Sequence, residues 1–172
     1  LGLATGGEAP GEPGGRTSAG RVTATRAGLA VPHANEIYVR ARHLLQRRAV
    51  GDVAQSLENF TQVVRLDPGF ARAWAGLAST YWLETVEGRM PASQGLSRLR
   101  SAAERAIELD PGLAEAHLRL ANYWSRSGRR DIAARHKAAA FAAEPDDPLV
   151  LGHRAWMAAD EGRLAEAIEL QR

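Results

Sequence analysis

The chain has 172 residues, 45% of them hydrophobic, and a formal net charge of +2 at pH 7. It contains no cysteine, which excludes disulfides, thiol catalysis and cysteine-based zinc sites within this sequence. No apolar run approaches the roughly 18 residues that a membrane-spanning helix requires. Acidic and basic residues are interspersed, so no strong long-range field is expected.

Residues 1–33 differ in composition from the rest of the chain. The stretch from Leu1 to Arg21 is rich in Gly, Pro, Ala and Ser and has no aromatic residue. Such a stretch buries too little apolar surface to offset a chain-entropy cost of about 1–2 kcal/mol per residue. We therefore predict a flexible linker over residues 1–33. Because Leu1 is not a start methionine, we expect a longer parent protein, with a membrane tether upstream of Leu1 as one alternative. The compartment would be cytoplasmic, or periplasmic if such a span precedes the chain.

From Ala34 onward, apolar residues recur with the period of an α-helix, and Gly or Pro interrupts the pattern. No segment alternates with period two, so no β-sheet is expected. The breakers divide the sequence into eight predicted helices at residues 34–49, 52–66, 70–86, 93–109, 113–127, 129–143, 147–159 and 163–171.

One phrase occurs twice, as RLDPGFARAW at Arg65–Trp74 and as ELDPGLAEAH at Glu108–His117, with a weaker copy, AEPDDPLVLG, at 143–152. Proline lacks an N–H and clashes with the preceding turn, so a helix must end at each phrase. We expect Asp67 and Asp110, which precede the prolines, to cap the following helix. Each phrase therefore predicts a corner between two helical hairpins.

The spacing of the breakers gives the size of the repeat. Pro111 and Pro145 are 34 residues apart, and so are Gly128 and Gly162. A period of 34 residues with two helices per unit indicates a tetratricopeptide repeat. The chain resembles such an array over residues 34–172. The residues that match the family pattern are Gly51, Ser56, Phe60, Val63, Pro68, Trp74, Leu77, Ala78, Tyr81, Ala106, Leu120, Ala121, Trp124, Ala133, Ala140, Ala155 and Ala167, together with the four breakers.

This resemblance implies an all-α fold: a right-handed superhelical solenoid of stacked antiparallel hairpins, with about four units and the last one truncated. Where helix B of a unit usually offers an aromatic residue, this sequence has Ala103 and Lys137, so thinner packing is expected there. Residues 36–83 are also similar to the tetratricopeptide tails of bacterial winged-helix transcriptional regulators and of adenylate-cyclase-like signalling proteins. That similarity implies a sensory or partner-binding segment of a larger protein.

The resemblance further implies that the first helix of each pair lines a concave groove. Trp74 and Trp124 are predicted to belong to the core, whereas Trp82 and Trp156 are open between core and groove. A mixed wall of aromatic and polar residues suits an extended peptide or a helix. The predicted partner-binding residues are Tyr38, Arg48, Arg72, Ser79, Trp82, Glu115, Asn122 and Trp156. The wall is completed by Ala41, Leu45, Ala75, Leu118, Ser125, Leu149 and Gly152.

No catalytic, metal or cofactor site is predicted. The five histidines show no i+3 or i+4 pair, and neither an HExxH nor a GxSxG motif occurs. We therefore expect a non-enzymatic protein that binds a protein or peptide, without metal or cofactor. Chaperone-tail capture by a first-repeat Lys and Asn is not expected, since Ala41 and Leu45 occupy those places. Two alternatives stay open: a homodimer formed through repeat-stacking surfaces, and a minor nucleic-acid contact at Arg47–Arg48 and Arg129–Arg130, for which solvated helix ends are the simpler explanation.

Overall fold

The computed structural model describes residues 19–170, with side chains described from residue 32 onward. All regular structure in that range is α-helical, which confirms the predicted fold class. The eight helices are α1 (Ala19–Arg47), α2 (Asp52–Leu66), α3 (Ala71–Val86), α4 (Ala92–Leu109), α5 (Ala114–Arg126), α6 (Arg130–Ala143), α7 (Pro148–Asp160) and α8 (Leu164–Glu169).

Helix α1 begins earlier than predicted, at Ala19 instead of Ala34, and it includes Pro32. Residues 19–33 contain Ala, Arg and Leu, which favour helix, whereas the Gly-rich and Pro-rich composition that suggested a linker is concentrated before them. Among the described side chains, Ala34 is the first buried one. Residues 1–18 lie outside the described residues, so the division into linker and repeat domain stays a prediction.

The helices form four consecutive hairpins: α1–α2, α3–α4, α5–α6 and α7–α8. Successive hairpins stack because α2 packs on α3 and α4 packs on α5. The first helices also contact one another in series, from α1 through α3 and α5 to α7. They therefore lie side by side and present one continuous face of the solenoid.

A single large cluster of buried side chains joins the first three hairpins. Its largest fully buried side chain is Phe60 of α2, which lies against Gly76 of α3. A Cβ atom placed on Gly76 would lie 2.4 Å from the Phe60 ring, so only glycine leaves room for the aromatic side chain. Burial of each such large apolar side chain contributes roughly 1.5–3 kcal/mol. Trp74 and Trp124, which the sequence placed in the core, are half-buried and pack against the same cluster.

The two copies of the repeated phrase form the same corner. In each, the Asp side chain accepts a hydrogen bond from the glycine N–H two residues later, at 3.0 Å for Asp67 and 3.0 Å for Asp110. These aspartates end helices α2 and α4, and neither caps the helix that follows. The capping prediction for Asp67 and Asp110 is therefore wrong. Three residues, of which the first two are Pro and Gly, separate each aspartate from the next helix, so its carboxylate is used within the turn.

The third corner differs from the other two. Here Asp147 is the N-cap of α7, and its carboxylate accepts hydrogen bonds from the N–H groups of Leu149 and Val150 at 2.8 and 3.3 Å. Pro148 occupies the first turn of α7, where its missing N–H costs nothing. The negative charge of Asp147 at this position complements the helix dipole.

The packing of the last hairpin is thinner. The buried residues of α6 are two alanines, Ala133 and Ala140, and α7 packs on α5 more than on α6. A pocket of about 550 Å³ remains between α6 and α7, with Lys137, Phe141 and Met157 in its wall. The thin packing expected around Lys137 is therefore confirmed.

Candidate functional site

Two adjoining pockets lie on the face that the first helices of the hairpins present, and we call them together the groove. Both include Arg42, Glu115, Asp147 and Leu149, so they form one depression. The Tyr38 pocket, of about 400 Å³, is completed by Tyr38, Arg72, Leu113, Glu144, Pro145 and Asp146. The Trp82 pocket, of about 690 Å³, is completed by Leu45, Gln46, Arg48, Ser79, Trp82, Leu83, Val86, Arg119 and Pro148.

An ion pair crosses the groove where the two pockets meet. Arg42 Nη1 donates to both carboxylate oxygens of Glu115, at 2.9 and 2.8 Å. The hydroxyl of Ser79 donates to the same carboxylate at 2.6 Å. One acidic side chain of α5 thus holds residues of α1 and α3, and it ties three hairpins together.

The ion pair compensates for the partial burial of the Arg42 charge. Burial by itself would lower the pKa of this guanidinium, but the Glu115 carboxylate and the Tyr38 side chain raise it above its ordinary value. A charge-assisted hydrogen bond in a partly buried site is stronger than one at an exposed surface. This contact is therefore a fixed feature of the groove floor.

Arg119 lies one helical turn after Glu115 on α5 and, unlike Arg42, forms no ion pair with the described residues. Its side chain lines the Trp82 pocket, yet the residue is only 7% exposed. Its Nε atom is buried and has no hydrogen-bond partner among the residues that the structure describes. Burial lowers the pKa of Arg119, Glu115 opposes that shift, and the charges of Arg48 and Arg42 add to it.

Charge is distributed unevenly along the groove. The Tyr38 pocket has the acidic corner before α7, where Glu144, Asp146 and Asp147 lie close together. Burial, and after it the Asp147 charge, raise the pKa of Glu144. The Trp82 pocket instead has arginines in its wall beside the apolar side chains of Leu45, Leu83 and Val86. One end of the groove is therefore acidic, and the other is basic with apolar walls.

Trp82 provides the aromatic surface of the basic end. It is half-buried on α3, and the Arg126 guanidinium lies over its ring, 5.7 Å from the centroid. The ring is thus held by packing on one side and by a cation–π contact on the other. An aromatic side chain that is fixed in this way loses little conformational entropy when a partner contacts it.

The structure brings together most of the residues that the sequence placed in the groove, but not all of them. Tyr38, Arg48, Arg72, Ser79, Trp82, Glu115, Leu45 and Leu149 line the two pockets. Asn122, Trp156 and Gly152 are not among the residues that line either one.

Four predicted wall residues take other places. Ala41, Ala75 and Leu118 are fully buried between helices, so placing them in the wall was wrong. Helices of neighbouring hairpins pack closely on one another, and these side chains fill that contact. Ser125 lines the pocket between α6 and α7 instead.

Several groove residues were missed by the sequence interpretation, in particular Arg42, Arg119 and Asp147. A periodicity signal for two of them was present, because Arg42 follows Tyr38 by four residues and Arg119 follows Glu115 by four. Residues four apart lie on the same helix face. Asp147 gave no such signal, since the conformation of the third corner, and not a helix face, places it in the groove.

The arginine pairs do not form one basic surface. Arg47 is occupied by Asp52, with N–O distances of 2.6 and 2.7 Å, and Arg129 lies near Asp131. Arg48 lines the groove, whereas Arg130 lines the pocket between α6 and α7. Within residues 32–170, the two pairs thus point to separate places, and the nucleic-acid alternative gains no support.

Two histidines meet although they are 19 residues apart in sequence. Nδ1 of His117 lies 3.0 Å from Nδ1 of His136, and Nε2 of His117 lies 3.0 Å from the carbonyl oxygen of Pro111. Because a carbonyl only accepts, Nε2 of His117 carries the proton and His136 donates to Nδ1. In the part of the chain that the structure describes, no group of three His, Cys, Asp or Glu side chains could hold a metal ion.

None of the described helices is long and apolar enough to cross a membrane. No known protein family and no curated protein matches the sequence. The structure is similar to that of TTC0263, a thermophilic TPR protein of Thermus thermophilus, with a TM-score of 0.60, 24% identity, and coverage of 89% of this chain and 81% of that one. The chain has the tetratricopeptide-repeat fold.

Two further solved structures agree with this fold. MamA is similar with a TM-score of 0.53 and 17% identity, over 80% of this chain and 74% of that one. A chain of the APC/C hetero-tetramer Cut9–Hcn1 is similar with a TM-score of 0.51 and 22% identity, over 84% of this chain but 29% of that one. At such identities the likeness establishes the tetratricopeptide-repeat solenoid. It does not indicate what this chain binds.

Proposed function

We propose that the chain is a non-enzymatic interaction module whose groove binds a segment of a partner protein. The observation that carries this proposal is the continuity of the two pockets, which share four residues and place Tyr38, Trp82 and fixed charges along one depression. A depression of this length accommodates an extended peptide or one face of a helix. Aromatic anchors with nearby arginines are the residue types that dominate binding energy at such surfaces.

A display library of random dodecapeptides tests the proposal, with the chain as bait. Binders are mapped by amide chemical-shift changes, which we expect at the groove helices α1, α3 and α5. Val86→Gln removes an exposed apolar side chain from the Trp82 pocket and should weaken selected peptides about fivefold, as expected for roughly 1 kcal/mol of lost apolar contact. Val39→Gln is the matched control, since Val39 is also exposed on a helix but lines neither pocket. Equal losses in both variants, or shift changes away from the groove, would overturn the proposal.

A second candidate is self-association through the last hairpin. Trp156, Leu164 and Ile168 are 62%, 62% and 57% exposed among the described residues, which is unusual for side chains of this size. A second copy that covers these residues would bury them. Light scattering at two concentrations tests this: a mass that rises with concentration, and falls again in Trp156→Gln, supports the homodimer, and a constant monomer mass removes it.

We also propose that this module is the sensory or partner-binding part of a larger bacterial regulator. The support is the resemblance of residues 36–83 to the tails of winged-helix and cyclase-like proteins. The complete coding sequence tests it. A winged-helix or cyclase domain in the same polypeptide supports the proposal, and a complete protein without either would remove it.

A further inference from the structure

The Trp82 pocket contains a buried cation that forms no ion pair with the described residues. Arg119 is 7% exposed, its Nε has no hydrogen-bond partner, and none of the ion pairs between described residues includes it. A buried charge without a partner is costly, so a fold that keeps one in the wall of a pocket leaves it available to a ligand.

The contacts of Glu115, one helical turn before Arg119 on α5, indicate what a ligand would supply. The Glu115 carboxylate lies between Arg42 of α1 and Ser79 of α3. One turn further along α5, Arg119 lines the same pocket as Arg48, and neither arginine forms an ion pair with a carboxylate of the described residues. A ligand carboxylate beside these arginines would take the place that Glu115 fills one turn earlier.

The charges of the Trp82 pocket specify how much negative charge is missing. Its wall contains three guanidinium groups, of Arg42, Arg48 and Arg119, and two carboxylates, of Glu115 and Asp147. One additional carboxylate brings the pocket to neutrality, whereas a phosphate carries about two negative charges and would exceed it. The Glu115 and Asp147 carboxylates close to the site would repel the second charge. The balance therefore favours an acidic side chain over a phosphorylated one.

The apolar wall strengthens such a contact. Leu45, Leu83 and Val86 line the pocket beside the arginines, so a bound carboxylate would be partly removed from water. Attraction between opposite charges rises as the local dielectric constant falls, and arginine binds carboxylates through its planar fork. Arg48 is exposed at the rim, where it would meet the incoming acid first.

We propose that Arg119 and Arg48 form a subsite for one Asp or Glu side chain of the partner segment. The inference rests on the proposed function, because it names the chemistry of a peptide in the same groove. The acidic side chain lies over the Trp82 pocket, and the rest of the segment runs towards the Tyr38 pocket. The two arginines of this subsite lie on α5 and just after the end of α1. The subsite therefore differs from the first-repeat position of Ala41, at which a chaperone-tail site would have its polar residue.

The test uses groove-binding dodecapeptides from the display selection, each resynthesised with its acidic residues changed one at a time to the corresponding amide. We expect one position at which the amide weakens binding to the unmodified chain tenfold or more. In Arg119→Met, the same change should alter affinity less than twofold. Arg72→Met is the matched control, since Arg72 lines the Tyr38 pocket only, and it should keep the full tenfold effect.

Arg119→Met preserves length and apolar character, and removing an unpaired buried charge should leave the melting temperature unchanged or raise it. If this variant fails to fold, Arg48→Asn provides the second test, because asparagine tolerates the positive φ of 52° at this exposed position. Arg48→Asn should reduce at least threefold the loss of affinity that the acid-to-amide change causes.

Four outcomes would overturn the subsite. Groove-bound peptides that show no acid dependence remove it and leave the proposed function standing. An acid effect that persists in Arg119→Met and in Arg48→Asn also removes it. A phosphoserine in place of the acid that binds tenfold tighter assigns the pocket to phosphate instead. Selection of no groove-binding peptide removes the proposed function as well, and so distinguishes the two failures.

Discussion

Arg42 and Glu115 lie 73 residues apart in sequence, and their side chains meet across the groove with Nη1 at 2.9 and 2.8 Å from the two carboxylate oxygens. Since Ser79 donates to the same carboxylate, α1, α3 and α5 share one polar centre. In a solenoid, most contacts join neighbouring hairpins, and stability is a sum of such local terms. This contact joins the first hairpin to the third, so it couples repeats that are not adjacent in sequence.

Glu115→Gln should destabilise the chain. Glutamine keeps the shape and can accept hydrogen bonds, but it leaves the half-buried Arg42 without its counter-charge. We expect the free energy of unfolding to fall by about 1–3 kcal/mol, measured by urea denaturation at neutral pH. Glu108→Gln is the control, because Glu108 forms an exposed i,i+3 pair with Arg105 and should cost no more than about 0.5 kcal/mol. Equal losses in both would contradict a role for the cross-groove contact.

Gly76→Ala and Gly152→Ala should have opposite effects, although both glycines lie inside helices. At Gly76 the new Cβ would lie 2.4 Å from the Phe60 ring, so the buried ring or helix α3 must move, at a cost of about 1–3 kcal/mol. At Gly152 the new Cβ would have no neighbour within 4 Å outside its own stretch of helix, so the helix preference of alanine should raise the free energy of unfolding by about 0.5–1 kcal/mol. Thermal unfolding of the two variants measures both signs. A stable Gly76→Ala variant would show that the α2–α3 contact is looser than the structure has it.

The sequence was sufficient to predict the solenoid because its local signals agree with one another. Pro68 and Pro111, each followed by glycine, end one helix and start the next in the same way at both corners. The equivalent residues Trp74 and His117 each bond to the proline carbonyl of their own corner, both at 3.0 Å. Repetition of this kind indicates a repeated unit even where individual residues differ.

The groove was less predictable, because it depends on how the hairpins stack. Ala41 and Leu45 are one turn apart on α1, yet Ala41 is fully buried whereas Leu45 lines the Trp82 pocket. The meeting of Arg42 with Glu115 requires the relative rotation of three hairpins, which no single helix encodes. The contact of His117 with His136 was likewise hidden, since their separation of 19 residues matches no spacing within one helix.

Lys137→Met should stabilise the last hairpin. Lys137 is half-buried in the wall of the pocket between α6 and α7, beside Phe141 and Met157. A methionine there replaces a charge with a flexible apolar side chain that fills irregular space. We therefore expect the free energy of unfolding, measured by thermal or urea denaturation, to rise by about 0.5–1 kcal/mol. Arg135→Met is the control, because Arg135 is exposed on the same helix and should change stability by less than about 0.5 kcal/mol. A loss of stability in Lys137→Met would show that the amine stabilises the pocket.

His153 should make stability fall at mildly acidic pH. Burial and, after it, the nearby charges of Arg119 and Lys137 lower the pKa of this histidine to about 4. Its pKa in the unfolded chain is about 6.5, so between these values the unfolded state binds the extra proton. Stability is therefore complete above about pH 6.5 and is lost as the pH falls towards 4. We expect a loss of roughly 1–2 kcal/mol between pH 7.5 and 5, reduced from the full linkage value because the ring is partly exposed.

His153→Gln separates this histidine from the other titrating groups. The variant should lose most of the fall in stability between pH 7.5 and 5, whereas His43→Gln, at an exposed position of α1, should keep it. A smaller fall remains in His153→Gln because burial and the neighbouring His117 also lower the pKa of His136. Since Arg119 and Lys137 both contribute to the shift, Arg119→Met and Lys137→Met should each raise the pKa of His153 and flatten the same profile. Urea unfolding of the four variants at pH 7.5, 6 and 5 measures these slopes, and an unchanged slope in His153→Gln would assign the acid sensitivity to other residues.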